Sequence, residues 1–167
     1  MIFVNYSEWL FKFRSILKKP KKEILLLHRT FPDWHTKAGM PTHFGSALQA
    51  KNQKQKLHSI FFYNENWDQL EKRVNSGKSV LCICYLNLNK SEYSNTLILK
   101  TNKIKIQKGY LLSPLEDGAI VDQFPVTLKE LAKNEALSVE DFISWYKPYE
   151  GAEFHIVHYT DFQYPVS

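Results

Sequence analysis

The chain has little cysteine, little glycine and no long apolar run. Its 167 residues include 2 Cys and 6 Gly. No stretch approaches the ~18 uninterrupted apolar residues of a transmembrane helix. Charges at Glu8, Lys12 and Arg14 interrupt any apolar core of a secretory signal. The expectation is a cytoplasmic protein with no membrane partner. Cys82 and Cys84 are too few for a disulfide scaffold, and their spacing suits no common metal site. Phosphate-loop, dinucleotide-binding, zinc-protease and nucleophile-elbow motifs are all missing. No histidines pair at metal spacing on a helix, and His155 and His158 should point to opposite faces of a strand. No metal and no cofactor are therefore expected.

What is present is a globular composition, 44% hydrophobic and 14% aromatic, at a length that suits one domain. A net charge of +5 conceals a gradient. Residues 1–60 carry eleven Lys/Arg against three Asp/Glu, residues 61–112 eight against four, and residues 113–167 three against ten. A basic first half suits a polyanion such as RNA; alternatively, the acidic end folds back onto it.

Periodicity gives a coarse map. Ser7 can cap a helix over Glu8–Leu17, which the lysines around Pro20 end. Glu23–His28 reads as a buried strand, followed by an irregular aromatic loop over Arg29–Thr42. A short helix with Phe44, Ala47 and Leu48 inward should precede a strand over Leu57–Phe62. A helix capped by Asn64 or Asn66 runs through Val74 to Gly77, and Ser79–Leu88 is a strand covered on both faces. Asp117-Gly118 marks a hairpin turn. Thr127 to Glu130 is a capping box, and Ser138 to Asp141 is arranged similarly. Phe154–Tyr159 is a final strand. Without sustained βα alternation, the expected class is α+β: a small mixed β-barrel flanked by helices.

Three segments together resemble ASCH domains, including those of bacterial and phage-borne proteins. They are QAKNQKQKLHSI from Gln49 to Ile60, LAKNEALSVEDFISW from Leu131 to Trp145, and the closing strand Glu153–Tyr159. The resemblance covers residues 41–164 and leaves residues 1–40 as an N-terminal helix–strand extension packed on the same domain. It implies a PUA-like barrel linked to RNA and nucleotide recognition. One bacterial branch hydrolyses N4-acetylcytidine with a lysine, a threonine three residues later and a distal glutamate. By position these are Lys56, Ser59 and Glu135; the arginine that follows in that branch is Phe61 here.

The residues support two functional expectations, of which the first leads because strand alternation and the missing arginine weaken the second. In the first, the protein binds RNA or a nucleotide. Basic and aromatic groups interleave in its first half, and Trp34, His35, Lys37, His43, Lys54, His58 and Phe61 are the candidate contacts. In the second, it is a small amidohydrolase of N-acylated cytidine-type nucleosides, with Lys56, Ser59 and Glu135 catalytic. A hydroxyl nucleophile needs a base in reach, and burial can lower a lysine pKa enough to serve. Strand alternation would separate Lys56 from Ser59 unless Lys56 lies before the strand. A protein-interaction domain, docking a basic partner on the acidic end, is a third possibility.

Overall fold

The structure, a computed structural model, describes residues 20–49, 56–62, 66–87 and 94–166; side chains at 49, 85–87 and 94–98 are excepted. The expected helix over Glu8–Leu17 and the candidate contact Lys54 lie outside the described residues. Within them the architecture is mixed α+β, with two sheets and four α-helices.

The smaller sheet has the order β1-β3-β4, formed by β1 (Lys21–Leu27), β3 (Ser79–Asn87) and β4 (Ser94–Thr101). β1 runs parallel to β3, which needs a long crossover. That crossover contains α1 (Phe44–Gln49), β2 (His58–Phe61) and α2 (Trp67–Asn75). β3 is buried on both faces at Leu81, Cys82, Ile83 and Cys84, as its apolar run predicts. β1 departs from expectation: Leu25 and Leu27 are buried, but Ile24 and Leu26 on the other face are exposed. An apolar run at a sheet edge has a neighbour on one side only, so composition overstates its burial.

The larger sheet is antiparallel, in the order β2-β8-β5-β6-β7. It adds β5 (Lys105–Leu111), β6 (Ala119–Val121), β7 (Phe124–Val126) and β8 (Glu153–His158). Strand pairing closes neither sheet into a barrel among the described residues. The β5–β6 hairpin forms, but its turn is longer than the Asp117-Gly118 dipeptide suggests and includes a 3-10 turn at Leu115–Asp117. Gly118 has φ +94°, and a Cβ there would lie 2.2 Å from the Val126 carbonyl oxygen. The tight turn is instead between β6 and β7, where Asp122 and Gln123 adopt positive φ without glycine.

Two helices follow, α3 (Leu128–Asn134) and α4 (Val139–Tyr146). Thr127 and Glu130 form the reciprocal capping box on α3. Ser138 caps α4 by accepting from the Asp141 backbone N–H at 3.1 Å. α4 buries Phe142, Trp145 and Tyr146 against the core, and its C-terminal turn continues as a 3-10 turn through Pro148. No helix among the described residues is long and apolar enough to cross a membrane.

Candidate functional site

β2 is an edge strand of the larger sheet. Its antiparallel partner is β8, with His58 opposite His158 and Ser59 opposite Val157. Just before β2, Lys56 makes a single antiparallel bridge to Glu135, the residue that ends α3. The Leu57 N–H donates to the Asn134 carbonyl at 2.8 Å and holds that junction. Lys56 therefore lies outside the regular alternation of the strand. This brings its side chain to the same cavity as Ser59, where a straight strand would have parted them.

That cavity has a volume of about 340 Å³. Lys56, Ser59 and Glu135 all line it. The first forty residues contribute Leu26, Leu27, His28 and Trp34, α1 contributes Phe44, and the β2 segment contributes Ile60, Phe61 and Phe62. α4 and the turn after it contribute Trp145, Tyr146 and Tyr149. The Phe62 and Tyr149 rings stack at 4.2 Å, and Phe61 stacks on Trp67 at 5.1 Å.

The polar floor is buried. The Lys56 and Glu135 side chains are 1% and 2% exposed and form an ion pair through Nζ and Oε2. Lys56 Nζ also lies 4.2 Å from the Phe44 ring centroid, a cation–π contact. Burial draws the Lys56 ammonium below its usual pKa, with Glu135 pulling the other way. Burial alone would raise the Glu135 carboxyl, but the Lys56 charge and the His58 hydrogen bond outweigh it and hold the carboxyl below its usual value. Ser59 Oγ is 3.2 Å from the Tyr159 hydroxyl, which donates to the His58 carbonyl at 2.9 Å. With that phenolic proton committed, the Ser59 hydroxyl donates to Tyr159 in the resting site. Burial raises the Tyr146 and Tyr159 phenols well above their usual pKa, so neither serves as a base.

The other sequence candidates fall in different places. Trp34 is half exposed at the cavity rim and donates its indole N–H to the Trp145 carbonyl at 3.0 Å. His35 is buried: its Nε2 meets the Asp141 carbonyl at 3.0 Å and its Nδ1 accepts from the Lys37 N–H at 2.9 Å. Lys37 is ion-paired with Asp141 at 2.8 Å. His43 is exposed beside α1 and accepts from the Ala47 N–H through its carbonyl. His58 is fully buried behind Glu135, away from the cavity lining, and Phe61 lines the cavity. Among the described residues, no group of three or more His, Cys, Asp or Glu side chains is placed to hold a metal ion.

Sequence reasoning missed His28, Asn134, Tyr159 and Tyr164. His28 ends the β1 apolar run and lines the cavity; burial and the Lys56 charge lower its pKa and favour the neutral ring. Its one sequence signal was a polar residue closing an apolar strand. Comparison with protein-family models, curated proteins and solved structures finds no match for this chain.

Proposed function

We propose that the protein is a small amidohydrolase acting on an N-acylated cytidine-type nucleoside. The single observation that carries this is the convergence of Lys56, Ser59 and Glu135 on one aromatic-walled cavity. Its volume of about 340 Å³ lies at the lower end of the ~300–1,000 Å³ typical of small-molecule sites, and suits one nucleoside better than a length of RNA. Aromatic walls offer stacking surfaces for a base. The order Lys56, Ser59, Glu135, with α3 and α4 around the glutamate, also supports reading the chain as ASCH-like and its fold as PUA-like. Nucleoside chemistry of this kind suits the cytoplasm.

The chemistry follows from the charge pair. Substrate entering the cavity excludes water and favours the neutral form of Lys56, its proton passing to Glu135. The Ser59 hydroxyl turns from Tyr159 to the free amine, gives up its proton, and Oγ attacks the acyl carbon. Lys56 then passes that proton to the departing nitrogen as the C–N bond breaks, leaving the acyl group on Ser59 and the free amino nucleoside. Water cleaves the ester, releasing the carboxylic acid and restoring the hydroxyl.

The test is incubation of the full chain with a panel of N4-acylated cytidines, following free cytidine by chromatography. Turnover lost in Ser59→Ala, with the fold intact by circular dichroism, is expected. No hydrolysis across the panel overturns the proposal. A second reading, as a module that binds RNA or a nucleotide without turnover, is favoured by the half-exposed Trp34 indole at the rim. It predicts binding that weakens steeply with added salt.

A further inference from the structure

Behind Glu135 runs a chain of hydrogen bonds that reaches no solvent. Asn134 Nδ2 lies 2.9 Å from the Tyr164 hydroxyl, which lies 2.9 Å from His58 Nε2; His58 Nδ1 lies 2.9 Å from Glu135 Oε1. His58 is fully buried, as are Asn134 and Tyr164 within a few per cent. Tyr164 is fixed from two sides by Gln107, which accepts from its N–H at 2.9 Å and donates to its carbonyl at 3.2 Å. The segment after β8 is thus tied to the floor of the site.

With Asn134 Nδ2 facing the Tyr164 oxygen and Glu135 ionised, one distribution of protons satisfies every link. Asn134 donates to the Tyr164 oxygen, so the Tyr164 proton points to His58 Nε2, which must accept. His58 Nδ1 then carries the ring proton and donates to Glu135. An imidazolium would aim Nε2–H at an oxygen already receiving one donor and would leave the Tyr164 proton without an acceptor. Charge balance gives the same answer. Lys56 and Glu135 already neutralise each other, so a second buried cation would be uncompensated. Each neighbour facing His58 is accounted for: Glu135 and Asn134 at the end of α3, Lys56 before β2, Tyr164 and Phe162 in the C-terminal segment, and the His158 ring at 5.2 Å on β8.

We propose that His58 is a positioning residue: a neutral, Nδ1-protonated imidazole, oriented by Tyr164 and Asn134, that occupies Oε1 of Glu135 and leaves Oε2 to Lys56. It touches no substrate. It sets the direction of the carboxylate and its readiness to take the Lys56 proton. The catalytic meaning of this role rests on the amidohydrolase reading; the tautomer and its effect on Glu135 do not.

The experiment is NMR of the full chain, using two-bond ¹⁵N–¹H correlations for the His58 ring and ¹³C detection of the Glu135 carboxyl against pH. The wild type should show a neutral Nδ1–H ring at neutral pH. The Glu135 titration should stay low in His58→Asn, whose amide replaces the Nδ1 donor. It should rise by about one to two pH units in His58→Leu, the effect of losing a hydrogen bond to a charged group. The acid limb of kcat/KM on an N4-acylated cytidine should move up with it, while His58→Asn keeps the wild-type profile. An imidazolium or an Nε2–H ring in the wild type overturns the inference. So does a Glu135 titration unmoved in His58→Leu. If His58→Leu does not fold, the wild-type tautomer decides. Absence of turnover in the wild type overturns the amidohydrolase reading alone, and the NMR result still decides the role of His58.

Discussion

Replacing Glu135 with glutamine keeps the shape of the side chain and removes its charge. The new amide can still accept from His58 through its carbonyl oxygen, but it then points N–H donors at the Lys56 ammonium. Lys56 is 1% exposed, so water is a poor substitute for the carboxylate. Breaking a buried pair from one side costs about 3–5 kcal/mol, because it strands the remaining charge. For a chain of this length each kcal/mol lowers Tm by roughly 2–4 °C, so a loss of about 10 °C is expected near pH 7. The sign with pH is fixed by linkage. In the variant, folded Lys56 sheds its proton well below the unfolded value of 10.5. Folding then releases a proton, so stability rises with pH up to that unfolded value. The deficit should therefore shrink on the alkaline side. On the acid side the wild type loses its own advantage, since Glu135, held low in the folded state, becomes protonated as pH falls through its folded pKa. Adding Lys56→Met to Glu135→Gln removes the stranded charge and should recover most of the loss. Urea melts of the four proteins between about pH 3 and 9, which take in the acid loss below the ordinary carboxyl value of 4.5 and the alkaline recovery, measure this cycle. A cost below about 1 kcal/mol for Glu135→Gln, or no recovery in the double variant, would refute a buried, mutually dependent pair.

Other outcomes are expected from the same physics. His158 is fully buried, and burial, reinforced by neighbouring His58 and only partly offset by the Phe162 backbone, lowers its pKa to about 3. Its depressed folded pKa lets the unfolded chain take up a proton first below pH 6.5, so roughly 4 kcal/mol of stability should drain away between there and about pH 3. His158→Leu should flatten that part of a stability–pH curve. Trp34→Ala should cost less than about 1.5 kcal/mol of stability, since it removes one hydrogen bond from a half-exposed ring. The same change should weaken nucleoside binding roughly tenfold by loss of stacking, read by calorimetry. Gly118→Ala should destabilise by more than about 1 kcal/mol in denaturant melts, because it combines a φ of +94° with a backbone oxygen 2.2 Å from the new Cβ.

Local signals survive into the structure and long-range ones do not announce themselves. The Thr127–Glu130 box, the Asn66 cap and Gly77 with positive φ are all readable because each acts within a single turn of helix. Ser138 and Asp141 look like a second box, but the Asp141 carboxylate is held by Lys37, 104 residues away, and only the Ser138 half forms. Alternation alone would part Lys56 from Ser59, yet the strand begins at His58, after the isolated bridge at Lys56. A boundary shift that small reverses which face a side chain occupies. Tyr164 and Asn134 carry no motif at all. Their roles arise from Gln107 and His58, which lie 57 and 106 residues from Tyr164.

The charge gradient, too, has a different meaning once the fold is known. Among the described residues, two lysine–carboxylate pairs join the basic first sixty residues to the acidic last block, Lys37 to Asp141 and Lys56 to Glu135, and a third pair joins Lys103 to Asp161. The first two stand at or beside the cavity. Among the described residues, Lys56 is thus neutralised inside the molecule and the half-exposed Lys37 is paired with Asp141, so this part of the basic excess is not free for a polyanion. A polyanion groove would need those cations turned outward; the proposed hydrolase needs Lys56 paired, with one proton passing to Glu135. The N-terminal segment brings Leu26, His28 and Trp34 as walls, while the C-terminal half brings Glu135, Trp145 and Tyr149, so neither end builds the site alone. That arrangement supports the proposed reading, in which a small aromatic ligand is held by stacking and one buried charge pair, over a long nucleic acid held by many phosphates.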